Sequence, residues 1–277
     1  MTALVFSVVL FAAVLHASWN AVVKGGADTL LTTILVTACA SLIAALALPF
    51  LPAPARQSWP FIGASALLQI LYFCLVAKTY RIADMSQTYP LMRGSAPLIV
   101  AATGALFFGI LLTPTAWLGI SIICAGILSM AVFARGQDIK GLGLALLNAG
   151  VIAGYTLIDG TGVRLSGAPA AYTLWIFLFT GAPLLAWTLF RRRAATKDYF
   201  VAHWHLGMAG GFGTLASYGL ALWAMTVAPV AVVAALRETS IVFALVLSGL
   251  VLRERIRPSR LVAVCIIAAG AGVLRFA

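Results

Sequence analysis

The sequence predicts an all-α integral membrane protein with ten transmembrane helices, arranged as two inverted five-helix repeats. Three observations predict it. The 277 residues are 63% hydrophobic and only 9% charged, with a mean hydropathy of +1.07. A soluble domain carries roughly 25% charged residues, so this chain cannot clothe a water-facing surface and its solvent is lipid. The apolar residues also fall into runs of about 20, the length that crosses a bilayer. Finally, one ungapped offset of 144 residues aligns Arg93 with Arg237, Gly63 with Gly207, Ala77 with Ala221 and Leu106 with Leu250. The same offset aligns Pro114 with Pro258, Ile122 and Ile123 with Ile266 and Ile267, and Gly126 with Gly270.

Each span follows from its punctuation. The first, 3–23, opens on MTALVFSVVLF without a basic leader region, so it is expected to be a retained helix. Lys-Gly-Gly-Ala-Asp (24–28) ends it, and Pro-Ala-Pro-Ala-Arg (52–56) ends the second span, 29–51. The third and fourth, 59–80 and 84–108, are separated by only a few residues. Pro90 and Pro97 in the fourth each remove a backbone donor, which predicts a kinked or locally open helix. The fifth span, 114–134, is followed by the charged break from Arg135 to Lys140. The remaining spans are 141–163, 169–190, 204–225, 229–252 and 259–276, with charged breaks at Arg191–Asp198 and Arg253–Pro258. Connections this short hold no soluble domain. The two units are therefore 1–135 and 136–277, and because five is odd the second is inverted relative to the first.

Charge supplies the orientation. Of 18 lysines and arginines, Arg93 and Arg237 lie within spans and Arg56, Arg164 and Arg275 lie on one side, leaving 13 at the odd-numbered loops. The positive-inside rule puts those loops in the cytoplasm and both chain ends outside, as expected of a bacterial inner-membrane protein. The net charge of +11 is thus spread over segment ends, not gathered on one solvated face, which argues against nucleic acid as a partner. Cys39, Cys74, Cys124 and Cys265 sit in apolar runs without CxxC spacing and read as small hydrophobes. Trp59, Trp117, Tyr199 and Trp204 fall where an interfacial aromatic belt belongs. The glycine pairs Gly150/Gly154 and Gly207/Gly211 have the spacing that lets helices approach closely. His203 and His205, two apart in a loop, are too weak a signal for a metal, and neither a metal nor a cofactor is expected.

The polar residues inside the spans are the candidate site. His16, Trp19, Asn20 and Lys24 share one face of the first span, and lipid cannot satisfy a histidine or an amide. They line a cavity or hydrogen-bond between helices; Lys24 is placed to reach the interface. The fourth span carries Ser86, Tyr89, Arg93 and Pro97 on one face. Arg93 lies roughly 13 Å along its helix in a core about 30 Å thick, too deep to snorkel freely. It either binds a substrate carboxylate or phosphate in two-point geometry or closes a structural salt bridge. Arg237 repeats the theme in the ninth span, with Glu238 and Ser240 beside it. Adjacent helical residues point about 100° apart, so Glu238 is expected to pair with a cation on another helix or to carry a proton. Asn148, Tyr155 and Asp159 form one face of the sixth span, with Asp159 placed near its end at the interface. Gln69 and Tyr72 in the third span, and Thr214, Ser217 and Tyr218 in the eighth, complete the set as stacking and hydrogen-bonding groups or as core.

Over nearly its whole length the chain resembles the EamA-type members of the drug/metabolite transporter superfamily. The resemblance rests on the ten spans in two five-helix repeats and on the stretch Leu250-Val-Leu-Arg-Glu254-Arg-Ile-Arg-Pro258 before a glycine-rich last helix. Trp19-Asn20 with Lys24 is similar to the family's opening motif, with Asn20 in place of the usual glycine; Ile110 stands where the second half has Glu254. The resemblance implies secondary transport of small metabolites, and it extends to amino-acid exporters of the YddG kind. The repeats and buried cations lead to the same expectation: alternating access, with no enzymatic activity, for a zwitterionic or anionic metabolite and amino-acid export in particular. The partners are then the substrate and the lipid bilayer. The alternatives are efflux of lipophilic cations, using Glu238, or a membrane-embedded enzyme or sensor. The absence of GxxxxGK[ST], HExxH and GxSxG sequences argues against the last.

Overall fold

The computed structural model describes residues 1–26, 28–132, 139–250 and 258–277, and every regular element among them is helical. The expected breaks at 135–138 and 253–257, with Glu254 and four of the basic residues used for orientation, lie outside the described residues. Helix α1 (Ala3–Gly25) begins where the Thr2 hydroxyl accepts from Val5 N–H. Helix α2 (Thr29–Ala47) begins where the Asp28 carboxylate accepts from Leu31 N–H at 3.0 Å. Both are side-chain N-caps, which satisfy amides that no helical carbonyl can reach. Helices α3 (Trp59–Ile82), α4 (Met85–Phe108), α5 (Pro114–Val132) and α6 (Ile139–Ser166) follow within one or two residues of the expected bounds at most ends. Pro90 and Pro97 are both carried inside α4, which does not end at either.

Two elements depart from expectation. The seventh and eighth spans form one run of helical backbone, α7 (Pro169–Val227), with no interruption over Arg191–Asp198. Yet that run doubles back. The Phe177 and Tyr218 rings lie 5.8 Å apart, and Gly219 faces Thr173. Along a straight helix 41 residues would separate the two rings by about 60 Å. Gly181 and Gly207 both press on α2, against Thr37–Ser41 and Leu35–Cys39, so the two arms reverse near Arg191–Lys197. The expected pair of antiparallel arms is present, but helical hydrogen bonding continues through the turn, where neither proline nor glycine interrupts it. The ninth span is broken instead. Helix α8 (Val230–Arg237) gives way to a turn at Glu238–Thr239 before α9 (Ser240–Leu250). Glu238 and Thr239 N–H reach back only three residues, to Ala235 and Leu236, and the Thr239 hydroxyl takes the Leu236 carbonyl as well. A hydroxyl competing for a helical carbonyl is a known local disturbance of the ladder. Helix α10 (Pro258–Leu274) closes the bundle.

Eight segments among the described residues are long and apolar enough to cross a membrane, and α10 is a shorter apolar helix. Leu106, Phe107, Leu111, Ile139 and Phe190 are more than three-quarters exposed on the outside of the bundle, where lipid covers them. The interior is filled by Ile62, Ile120, Ile123, Ile127, Tyr172, Ile176, Leu222, Leu236 and Ile267. Helix α4 packs between α5 and α6, α3 lies on α6, α1 lies on α7, α8 and α9, and α2 lies along both arms of α7. Helices α5 and α10 meet at glycines. A Cβ on Gly126 would stand 2.9 Å from Ile267 Cγ1, and one on Gly270 would stand 2.7 Å from Ile123 Cγ1. At the other end the Met1 amine donates to the Ala277 carbonyl and Arg275 Nη1 to the Met1 carbonyl, so α1 starts beside the end of α10.

Candidate functional site

Charged side chains converge where α4, α6 and α8 meet. Pro90 and Pro97 bracket Arg93, which is 8% exposed; its Nε and Nη2 donate to Glu238 Oε2 and Oε1, both at 2.9 Å. This two-point geometry matches a planar guanidinium to a carboxylate. Of the two roles open to Glu238, the structure places it against another helix's cation. The turn at Glu238–Thr239 is what aims its carboxylate at α4 while the preceding residue, Arg237, points elsewhere. The Arg237 guanidinium lies over the Tyr218 ring at 4.9 Å and has no carboxylate within ion-pair distance among the described residues. A small cavity of about 20 Å³ is lined by Arg93, Pro97, Tyr155, Thr156, Arg237 and Glu238. That is room for about one water, not for a metabolite.

A second polar centre adjoins it. Asp159, which lies near the end of its span, is fully buried in the bundle. One carboxylate oxygen accepts from the Tyr172 hydroxyl at 3.1 Å and the other from the Tyr218 hydroxyl. The two tyrosines come from opposite arms of α7, so only the reversal of that helix could assemble the site. Asp159 falls three and four residues after Thr156 and Tyr155, on the face that lines the cavity. That shared face, with Asn148, was the signal in the sequence.

The other expected residues divide. Tyr72 and Tyr155 stack edge to face at 6.2 Å, and both lie within Coulombic range of Arg93, as does Tyr89. His16 packs its ring against Trp19 at 5.3 Å and lies within Coulombic range of Arg93 and Arg237. Trp19 Nε1 is buried without a partner among the described residues. Asn148 is fully buried; its amide nitrogen is 2.9 Å from Met92 Sδ and its oxygen has no partner among the described residues. Gln69 donates to Ser65. Asn20 turns back onto its own helix, donating to the His16 carbonyl at 2.8 Å. Ser217 donates to the Ala12 carbonyl at 2.8 Å and so ties α7 to α1. The Ser86 side chain lies outside the described residues.

Farther out, His203 stacks on Tyr199 at 4.2 Å and faces its carbonyl oxygen at 3.0 Å, while Tyr199 shares a hydrogen bond of 2.6 Å with Thr32. Trp204 is 62% exposed, and Trp59 packs on Trp175 at 4.9 Å. Gly207 and Gly211 do bring α7 against α2, whereas Gly150 has nothing near it.

Residues 139–276 match the model of the EamA-like transporter family, whose members are membrane transporters of small molecules rather than enzymes. No curated protein matches the chain. Among solved structures 29 chains match. One, described as "Crystal structure of protein", has a TM-score of 0.76 at 17% identity, over 99% of this chain and 98% of that one. At that identity the likeness shows the fold alone.

Proposed function

We propose, on the premise that half of this chain is an EamA-like transporter domain, that the protein is a secondary transporter moving a small zwitterionic or anionic metabolite, an amino acid in particular, by alternating access. The observation that carries this reading is Arg237. It faces the central cavity beside a closed Arg93–Glu238 pair, with no carboxylate of its own among the described residues. A buried cation held ready in this way fits a carboxylate brought by a ligand. Tyr155, Tyr72 and Tyr89 supply the adjoining wall, and His16, Asn148 and Trp19 extend it. The cavity has room for about one water, so on this reading the helices around it must part to admit a metabolite.

Two five-helix units, 1–135 and 136–277, are the moving parts of this reading. Gly126 meets Ile267 and Gly270 meets Ile123, and each residue of the first contact maps onto one of the second through the offset of 144. Such reciprocity is what a pseudo-two-fold axis between inverted repeats produces. The contacts of α3 with α6 and of α1 with the second arm of α7 form a matching pair under the same exchange. Export across a bacterial inner membrane, with the basic loops in the cytoplasm, is the direction this reading favours.

Counterflow in proteoliposomes tests it. Vesicles preloaded with unlabelled amino acids should accumulate the labelled one transiently, and empty vesicles should not. Absence of accumulation for all twenty amino acids would remove the substrate claim. Efflux of lipophilic cations is disfavoured because Arg93 already occupies Glu238, the carboxylate such a cation would need.

A further inference from the structure

The centre holds two buried carboxylates, and they are held differently. Glu238 is gripped at two points by a guanidinium. Asp159, fully buried, receives only neutral donors: Tyr172 on one oxygen and Tyr218 on the other. Ser65 on α3 faces it as well, and because Gln69 donates to Ser65 Oγ, the serine proton is left to turn toward the carboxylate. No lysine or arginine nitrogen lies within ion-pair distance of Asp159 among the described residues.

A buried ion without direct contact to a counter-ion is costly, and the group's neutral form is the natural second state. The charges around it make that second state useful. Arg237 on α8 covers the ring of Tyr218, whose hydroxyl bonds the carboxylate. Tyr155 stands on the same helix, Tyr172 and Tyr218 come from α7, Arg93 and Tyr89 from α4 and Tyr72 from α3, with His16 across the bundle. With both carboxylates ionised and His16 neutral, two cations balance two anions. A proton on Asp159 leaves Arg237 uncompensated and therefore better able to hold an anionic group.

We propose that Asp159, rather than Glu238, is a proton-binding site of this transporter, taking its proton from water and returning it to water as the central cavity changes state. The proposal rests on the transport reading for its purpose, but it can be tested without any substrate.

Infrared difference titration of the purified protein in detergent reads it directly. Lowering the pH should bring up the C=O band of a buried protonated carboxyl in the wild type. That band should vanish in Asp159→Asn and persist in Glu238→Gln. Should Asp159→Asn fail to fold, Tyr218→Phe serves. It removes one of the hydroxyl donors, and because each hydrogen bond to a charged group is worth about one to two pH units, the band's midpoint should move by at least about one. A wild-type band that survives in Asp159→Asn, disappears in Glu238→Gln or keeps its midpoint in Tyr218→Phe overturns the proposal. Failure here leaves the counterflow result standing, and a failed counterflow leaves this titration standing.

Discussion

Arg93 and Glu238, 145 residues apart in the chain, close a two-point ion pair between α4 and the turn after α8, inside a bundle whose outer surface is lipid-facing. The pair joins the two units on which the transport reading depends. Its strength comes from burial, and so does the cost of breaking it on one side only.

Removing one partner should therefore be worse than removing both. Arg93→Ala leaves Glu238 buried and uncompensated, a loss of about 3–5 kcal/mol for a fully desolvated pair. The double variant Arg93→Gln/Glu238→Gln restores neutrality and should recover much of that loss. Chemical unfolding in detergent, run as a double-mutant cycle, measures the difference. Additive losses would mean that the two groups do not interact.

Arg237 should behave in the opposite way. Its contact with the Tyr218 ring is worth about 2 kcal/mol in a desolvated setting, less than a broken buried ion pair, so Arg237→Ala should melt above Arg93→Ala. Its transport should fall by about 10- to 100-fold, the equivalent of one charge-assisted hydrogen-bonded contact of roughly 1.5–3 kcal/mol. Counterflow rates beside melting curves separate the two effects. Normal transport would reduce Arg237 to scaffolding.

Ser217→Ala tests a residue that the sequence grouped with the site. Its hydroxyl is already given to the Ala12 carbonyl, and interhelical bonds of this kind average about 0.6 kcal/mol in membrane proteins. A small loss of stability with unchanged counterflow is the expected result. A large loss of transport would return Ser217 to the cavity wall.

At the α5–α10 crossing, Gly270→Ala should cost more than Gly126→Ala. The new methyl at 270 would stand 2.9 Å from Ile123 N and 3.0 Å from Gly119 O, backbone atoms that cannot swing aside, as well as 2.7 Å from Ile123 Cγ1. At 126 the tightest neighbour is a flexible side-chain carbon at 2.9 Å. About 1–3 kcal/mol is the usual scale of such overpacking. Paired melting curves decide, and equal midpoints would show that the crossing relaxes freely.

What could be read from the sequence follows from what is local in it. Apolar runs and turn residues located most helix ends, since length and hydropathy decide what lipid accepts. Helical spacing put Tyr155 and Asp159 on one face and placed Arg93 deep in its span. The partner of Arg93 was not legible, because it depends on how α4 meets α8 and no spacing within either helix encodes that. The break at Glu238–Thr239 is equally hidden: no proline or glycine stands beside it, and only the Thr239 hydroxyl hints at it. The full burial of Asp159 could not be read from its nearness to a span end, because it depends on tyrosines brought in by another helix. The two tyrosines that bury it come from arms of α7 that the charged stretch Arg191–Asp198 led us to treat as separate helices.

The glycine contacts between α5 and α10 set a limit on how the molecule can move. Helices packed this closely cannot slide past each other by a residue without collision, so that line would serve as a fulcrum. On the transport reading, a rocking between two openings would leave this edge almost still and carry the far side of the bundle through the longest arc.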